Sequence, residues 1–154
     1  MRVNNFMSYK PKDDLDVMAL TVWAEARGES AKGQAAVAWV IRTRYENPRW
    51  WSRQRGDGIP DDTIAAVCRD PWQFSCWNPN DPNRAMMDNP LTLQRPEMVG
   101  IRGICLDVLE DEIPDPTNKA DHYCVTRIVN YTAWARRRKP CAVIDNHSFF
   151  RLEV

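Results

Sequence analysis

Histidine is scarce in this sequence. His122 and His147 are the only two, and neither stands in an HExxH pattern. That argues against a zinc amidase, which needs two histidines and a third ligand. No pair among the five cysteines, at 68, 76, 105, 124 and 141, has CxxC spacing, which argues against a zinc ribbon or a dithiol redox centre. Their odd number leaves at least one thiol without an intrachain partner, and buried free thiols in a reducing compartment are expected. Net charge is absent too, since 21 Lys and Arg balance 21 Asp and Glu. The overall balance therefore points to neither nucleic acid nor an anionic membrane as partner. No run approaches the roughly 18 apolar residues of a membrane span, so stable membrane insertion is not expected. Met1 to Asp16 is polar where a secretory leader would be apolar. Synthesis in the cytoplasm is the expectation, with action on an outside substrate only after release.

What is present fits one globular domain of 154 residues, 44% hydrophobic and 27% charged. A chain of that size buries roughly 70% of its extended surface and folds without metal or disulfides. Seven tryptophans are the compositional oddity; indoles that are not core serve as partly buried platforms. Arg136, Arg137, Arg138 and Lys139 form a basic run, and Arg49, Arg53 and Arg55 surround Trp50 and Trp51. Such runs are solvated faces or contacts for an anionic polymer or an outer-membrane surface.

Residues 1–13 read as a lead-in and 14–154 as the single folded domain. Leu15, Met18, Val22 and Ala26 recur at helical spacing, with Asp14 as cap and Gly28 as stop. Ser30 opens a second helix over 31–46, ended by Asn47-Pro48. A loop is expected over 49–60, then a short helix through Cys68 capped by Asp61 or Asp62. Residues 71–82 read as irregular, 83–88 as a short helical turn, 89–96 as a surface loop and 98–110 as a third long helix. After the break at Pro114 and Pro116, residues 122–128 read as extended and 132–138 as helical. Ala142, Ile144, Phe149, Phe150 and Leu152 suggest a closing hairpin.

Glu25 is the anomaly. It falls on the face of Met18 and Val22, where an amphipathic helix has no use for a carboxylate. Burial, the partial negative charge of the helix C-terminus and a second anion at Glu29 would each raise its pKa. A carboxylic acid still protonated near neutrality is what glycoside cleavage requires. The alternative is a structural ion pair with Arg27, Arg42 or Arg44.

The stretch from Trp23 to Glu29, with Gly33-Gln34 and Ala36-Val37-Ala38 up to Arg44, resembles the opening signature of the SleB-like cell wall hydrolases. That family comprises spore cortex-lytic enzymes and related phage lysis proteins. Gln73-Phe74-Ser75-Cys76-Trp77 resembles its QFSxW-type motif. Ala120-Asp121-His122-Tyr123 resembles its HY or YY segment, and Ile144 to Phe150 its closing IGxHxFY motif. The blocks span about residues 16–152 in order. Asp145 stands where the family usually has glycine, and Phe150 where it often has tyrosine.

The resemblance implies an α+β, mainly helical, lysozyme- or lytic-transglycosylase-like single domain with a small β-element. It also implies cleavage of the bond between N-acetylmuramic acid and N-acetylglucosamine, and it places the catalytic glutamate on Glu25. Transglycosylation is favoured over hydrolysis because it needs no second catalytic carboxylate; a hydrolase would use Glu29, Asp121 or Asp145. Glu29, Gln73, Ser75, Tyr123, Asn146 and His147 are the candidates for holding the sugar, with Trp77 as a wall of the groove. No cofactor or metal is expected, and the partner is the peptidoglycan glycan strand, met by a monomer. A phage endolysin is the favoured setting, ahead of a hydrolytic muramidase or a bacterial wall-remodelling enzyme. The rivals from other classes are a cysteine peptidase pairing Cys124 with His147, and an inactive glycan-binding or phage structural module.

Overall fold

The computed structural model describes residues 14–53 and 61–152. The expected lead-in at 1–13 and residues 54–60 of the expected loop lie outside the described residues.

Helix α1 (Asp14–Ala26) runs through the middle of the domain. Its residues from Asp16 to Trp23 are buried on every side, so the stripe of Leu15, Met18, Val22 and Ala26 is only part of its apolar surface. A helix apolar all round needs neighbours all round. They are α2 (Ala31–Glu46), α3 (Ile64–Arg69) and α5 (Pro96–Leu109). Asp14 is the first helical residue of α1, and its carboxylate serves another helix, accepting from Ala65 N at 3.0 Å. Thr63, rather than Asp61 or Asp62, caps α3, its hydroxyl accepting from Ala66 N at 3.0 Å. A threonine hydroxyl directly before the first turn reaches the orphan amide that a more distant aspartate cannot.

Ser30 caps α2 as expected, accepting from Gly33 N at 3.2 Å. Helix α4 (Arg84–Asp88) matches the short turn expected at 83–88. The stretch expected as a surface loop at 89–96 carries a 3₁₀ turn, Pro90–Gln94. Asn89 caps it through Leu91 N, and buried Thr92 fastens it by donating to Met86 O at 2.6 Å. Residues 71–82 are irregular around a single 3₁₀ turn, Ser75–Trp77.

The β-element is a three-stranded antiparallel sheet of β1 (His122–Val125), β2 (Ala142–Ile144) and β3 (His147–Phe150), in the order β1-β3-β2. Tyr123 pairs with Phe149 and Phe149 with Ala142. That row packs on α2 through Ala36 and Val40. The opposite face carries His122 paired with Phe150, and Cys124, Ser148 and Val143 in one row. The extended segment expected to reach 128 stops at Val125 and turns into a 3₁₀ segment, Thr126–Tyr131. The helix expected over 132–138 is a series of turns, with Ala135 N and Arg136 N both donating to Thr132 O at 2.9 Å. Two turns cut short by Lys139-Pro140 leave no length over which a helix can propagate.

Asp145 and Asn146 link β2 to β3, and Asp145 has φ of 50°. That left-handed conformation is natural for glycine and tolerable for aspartate, which accounts for the departure from the family's glycine. The Asp145 carboxylate accepts from Ser30 N at 2.9 Å and from Ser30 Oγ at 2.6 Å, tying the hairpin to the start of α2. Gly33 is required there, because a Cβ on it would stand 2.5 Å from Asp145 Oδ2.

All five cysteines are free thiols; Cys68, Cys76 and Cys105 are buried. Burial pushes the Cys68 thiol up to about 12. Among the described residues no helix is long and apolar enough to cross a membrane.

Candidate active site

Glu25 sits one residue before the end of α1, partly exposed. Burial of its carboxyl raises the pKa above the ordinary 4.5. The Tyr123 hydroxyl and the thiol and amide of Cys76 approach the carboxylate as donors and offset part of that rise. Asp81 adds to it as a neighbouring anion. The second anion inferred from sequence therefore exists, but it is Asp81 and not Glu29.

None of the three candidate arginines pairs with Glu25. Arg27 lies over the Trp23 ring at 4.3 Å and donates to Asn83 Oδ1 at 3.3 Å. Arg42 binds Glu46 at 2.6 Å and Asp111 at 2.5 Å. Arg44 is buried and donates to Asp121 O at 2.6 Å and to Gln73 Oε1 at 3.1 Å, with its guanidinium 4.9 Å from the Phe74 ring centroid. Desolvation pulls the Arg44 pKa down to about 10, which still leaves it charged at neutrality.

The four sequence blocks meet around this carboxyl. β1 supplies Tyr123 and the 71–82 segment supplies Cys76 and Asp81. Gln73 is held by Arg44, so its amide fixes that segment to α2 and β1. Ser75 is exposed. Trp77, expected as a groove wall, is 7% exposed and packs in the core, its indole N–H donating to Thr21 Oγ1 at 3.0 Å. Asn146 is exposed and its amide donates to both oxygens of Glu29 at 3.4 and 3.3 Å. His147 is buried, with Nδ1 3.5 Å from Glu29 Oε1, within ionic range but without a hydrogen bond. Burial holds the His147 pKa below 6.5, against the opposing pull of Glu29 and Asp145. Its ring meets Tyr123 edge-on at 5.1 Å. Glu29, Asn146 and His147 thus form one group, joined to Glu25 through Tyr123.

Cys76, Asp81 and Arg44 are the site residues that sequence reasoning missed. Cys76 occupies the unspecified position of a QFSxW-type motif, and Asp81 sits in a proline-broken turn with no periodicity to mark it. Arg44 was visible as the end of the first block and as a possible ion-pair partner of Glu25, but not as the residue that holds Asp121 and Gln73.

Of the other carboxylates considered, Asp121 accepts from His122 Nδ1 and Leu152 N, both at 2.9 Å, and Asp145 is taken up by Ser30. Cys124 and His147 project from opposite faces of the sheet, which removes the cysteine–histidine pair of a peptidase. His122 and His147 also lie on opposite faces, His122 among Trp50, Trp51 and Trp134, so they cannot share one metal ion. A cavity of about 420 Å³ lies elsewhere, lined by Trp39, Thr43 and Asn47 of the α2 end together with Trp51, Lys119 and Arg151; Glu25 is not part of it.

Two solved structures are similar to this fold. The catalytic domain of the Bacillus cereus SleB protein is 25% identical, with 92% of each chain covered and a TM-score of 0.63. The catalytic domain of the germination-specific lytic transglycosylase SleB from Bacillus anthracis is 26% identical, covering 96% of this chain and 98% of that one, with a TM-score of 0.62. No curated protein gives a significant match. The Cell Wall Hydrolase family model matches residues 28–150, beginning just beyond Glu25. That match takes in most of the sequence, including the Gln73–Trp77 and Ile144–Phe150 blocks, and the chain belongs to the cell wall hydrolase family.

Proposed function

We propose that the chain cleaves peptidoglycan between N-acetylmuramic acid and N-acetylglucosamine as a lytic transglycosylase, with Glu25 as its one acid and base. Glu25 protonates the glycosidic oxygen, the bond to the muramic acid anomeric carbon breaks, and N-acetylglucosamine leaves with a free 4-hydroxyl. The Glu25 carboxylate then takes the proton from the muramic acid 6-hydroxyl. That oxygen closes onto the anomeric carbon, giving a 1,6-anhydro ring and restoring the acid.

The observation that carries this reading is the environment of Glu25, a partly exposed carboxyl kept easier to protonate than usual and without a salt bridge among the described residues. The single-carboxylate route is further supported by the engagement of Glu29, Asp121 and Asp145 with protein partners. Hydrolysis is the second reading, favoured by Asp81 near Glu25. Mass spectrometry of digested peptidoglycan separates them. Anhydro-muropeptides are expected, reducing ends would assign a muramidase, and free stem peptides would overturn both. Ser75 and Asn146, exposed beside the site, are proposed to contact the sugar. Host lysis in the manner of a phage endolysin is proposed on the same footing, and clearing of permeabilised Gram-negative cells is its test.

Tyr123→Phe gives a second measurement. The hydroxyl favours the ionised form of Glu25, so its loss raises the pKa further. An acid works while protonated, and activity falls as pH rises through the pKa. The alkaline limb of the rate profile is therefore expected to move to higher pH in Tyr123→Phe. A limb that stays in place, or moves down, would separate Tyr123 from the acid.

A further inference from the structure

The basic run left over from the sequence has no part in the chemistry around Glu25, yet it belongs to a larger pattern. From His122 to Ile144 there is no Asp or Glu, while Arg127, Arg136, Arg137, Arg138 and Lys139 supply five positive charges. The other 16 basic residues face 21 acidic ones, so the neutral total conceals a dipolar molecule. Among the described residues none of the five cations is ion-paired, and all five are exposed.

The segments that carry them are anchored on one face of the sheet. The 3₁₀ segment Thr126–Tyr131 lies on the sheet face turned away from α2, fixed by the 2.9 Å contact of Thr126 Oγ1 with Ser148 Oγ. Trp134 packs on the same face against His122 at 5.2 Å and Phe150 at 5.4 Å, and its carbonyl accepts from Arg138 Nε at 3.0 Å. Apolar side chains stand exposed among the charges. Tyr131 is 87% exposed, Val143 is 58% exposed on the edge strand, and Trp50, stacked on His122, is 50% exposed.

We propose that this outer face of the sheet is a docking surface for an anionic lipid bilayer. Charge complementarity selects an anionic partner. The exposed Tyr131, Val143 and Trp50 select a lipid interface over a soluble polyanion, because only the interface rewards burying amphipathic rings and apolar groups beside cations. The attachment is peripheral and depends on salt. It does not rest on the assignment of Glu25.

The test is co-sedimentation of the full chain with phosphatidylglycerol-containing vesicles, with pure phosphatidylcholine vesicles as control. Binding to the anionic vesicles alone, lost at high salt, is expected. Each neutralised cation should weaken it about fivefold, so Arg136→Gln, Arg137→Gln and Lys139→Gln combined should weaken it about a hundredfold. Tyr131→Ser should weaken it as well, with cleavage of soluble glycan fragments unchanged. All these positions are exposed, and a melting curve matching that of the parent confirms the fold. No binding to anionic vesicles overturns the proposal. So does binding that Tyr131→Ser leaves intact and that dextran sulfate competes away, which would mark the face as a site for polyanions instead.

Discussion

Glu25→Gln is expected to reduce muralytic turnover by about a thousandfold, within the 10² to 10⁴ that a positioned general acid supplies, while the protein stays folded. Glutamine keeps the size of the carboxyl and one acceptor oxygen but cannot give up a proton. The stability of the variant has a sign that can be worked out. Burial raises the folded-state pKa of Glu25 above its unfolded value, so the group's contribution to stability is full below the unfolded pKa and is lost as pH rises through the folded one. Whatever part of that loss the wild type has met at a given pH, Glu25→Gln, which does not titrate, has not. The variant should therefore melt at the same temperature or higher at pH 7, with the advantage disappearing in acid. Turbidity clearing of purified peptidoglycan and paired melts at two pH values check both halves. Undiminished lysis would remove Glu25 from the chemistry. Lost lysis with a lower melting temperature would mean that the carboxylate holds the fold together instead.

Glu25 was legible in the sequence because the signal was local: a carboxylate out of place in a 3.6-residue apolar period, at the foot of a helix whose ends were marked by Gly28 and Ser30. Helix α2 could be read to its exact limits for the same reason. The setting of the acid was not legible, because it is assembled across the chain. Asp81 acts on Glu25 from a turn broken by Pro79 and Pro82, where no periodicity points anywhere. Trp77 resembled a sugar platform by residue type, but only the tertiary fold shows Thr21 waiting to accept its N–H. Residues 132–138 fit a helix by composition and failed by length. Glu29 was expected beside Glu25 as its second anion, but which way it faces depends on Asn146 and His147, more than a hundred residues away.

Arg44→Met should be the most destabilising single substitution among these residues, by about 3 kcal/mol. The guanidinium is buried and ties α2 to two other parts of the site, at 2.6 Å to the Asp121 carbonyl before β1 and at 3.1 Å to the Gln73 side chain. Methionine fills much of the volume but leaves both acceptors without a donor, and an unsatisfied buried acceptor costs about 1–3 kcal/mol. For a domain of this length that corresponds to a drop of about 10 °C in Tm. Arg44→Lys should recover little, since one ammonium cannot reproduce two donors set at a fixed angle. Arg42→Met is the control. Its ion-pair partners Glu46 and Asp111 are exposed, and the Val108 carbonyl it also reaches at 2.6 Å keeps the Asp111 amide as a donor at 3.3 Å, so its loss should cost about 1 kcal/mol or less. Activity should follow the same division. Freeing Gln73 loosens the segment that carries Cys76 and Asp81 against Glu25, so Arg44→Met should lose turnover even well below its melting temperature, while Arg42→Met keeps it. Equal melting temperatures for the two variants would show that the buried guanidinium does not hold the site together.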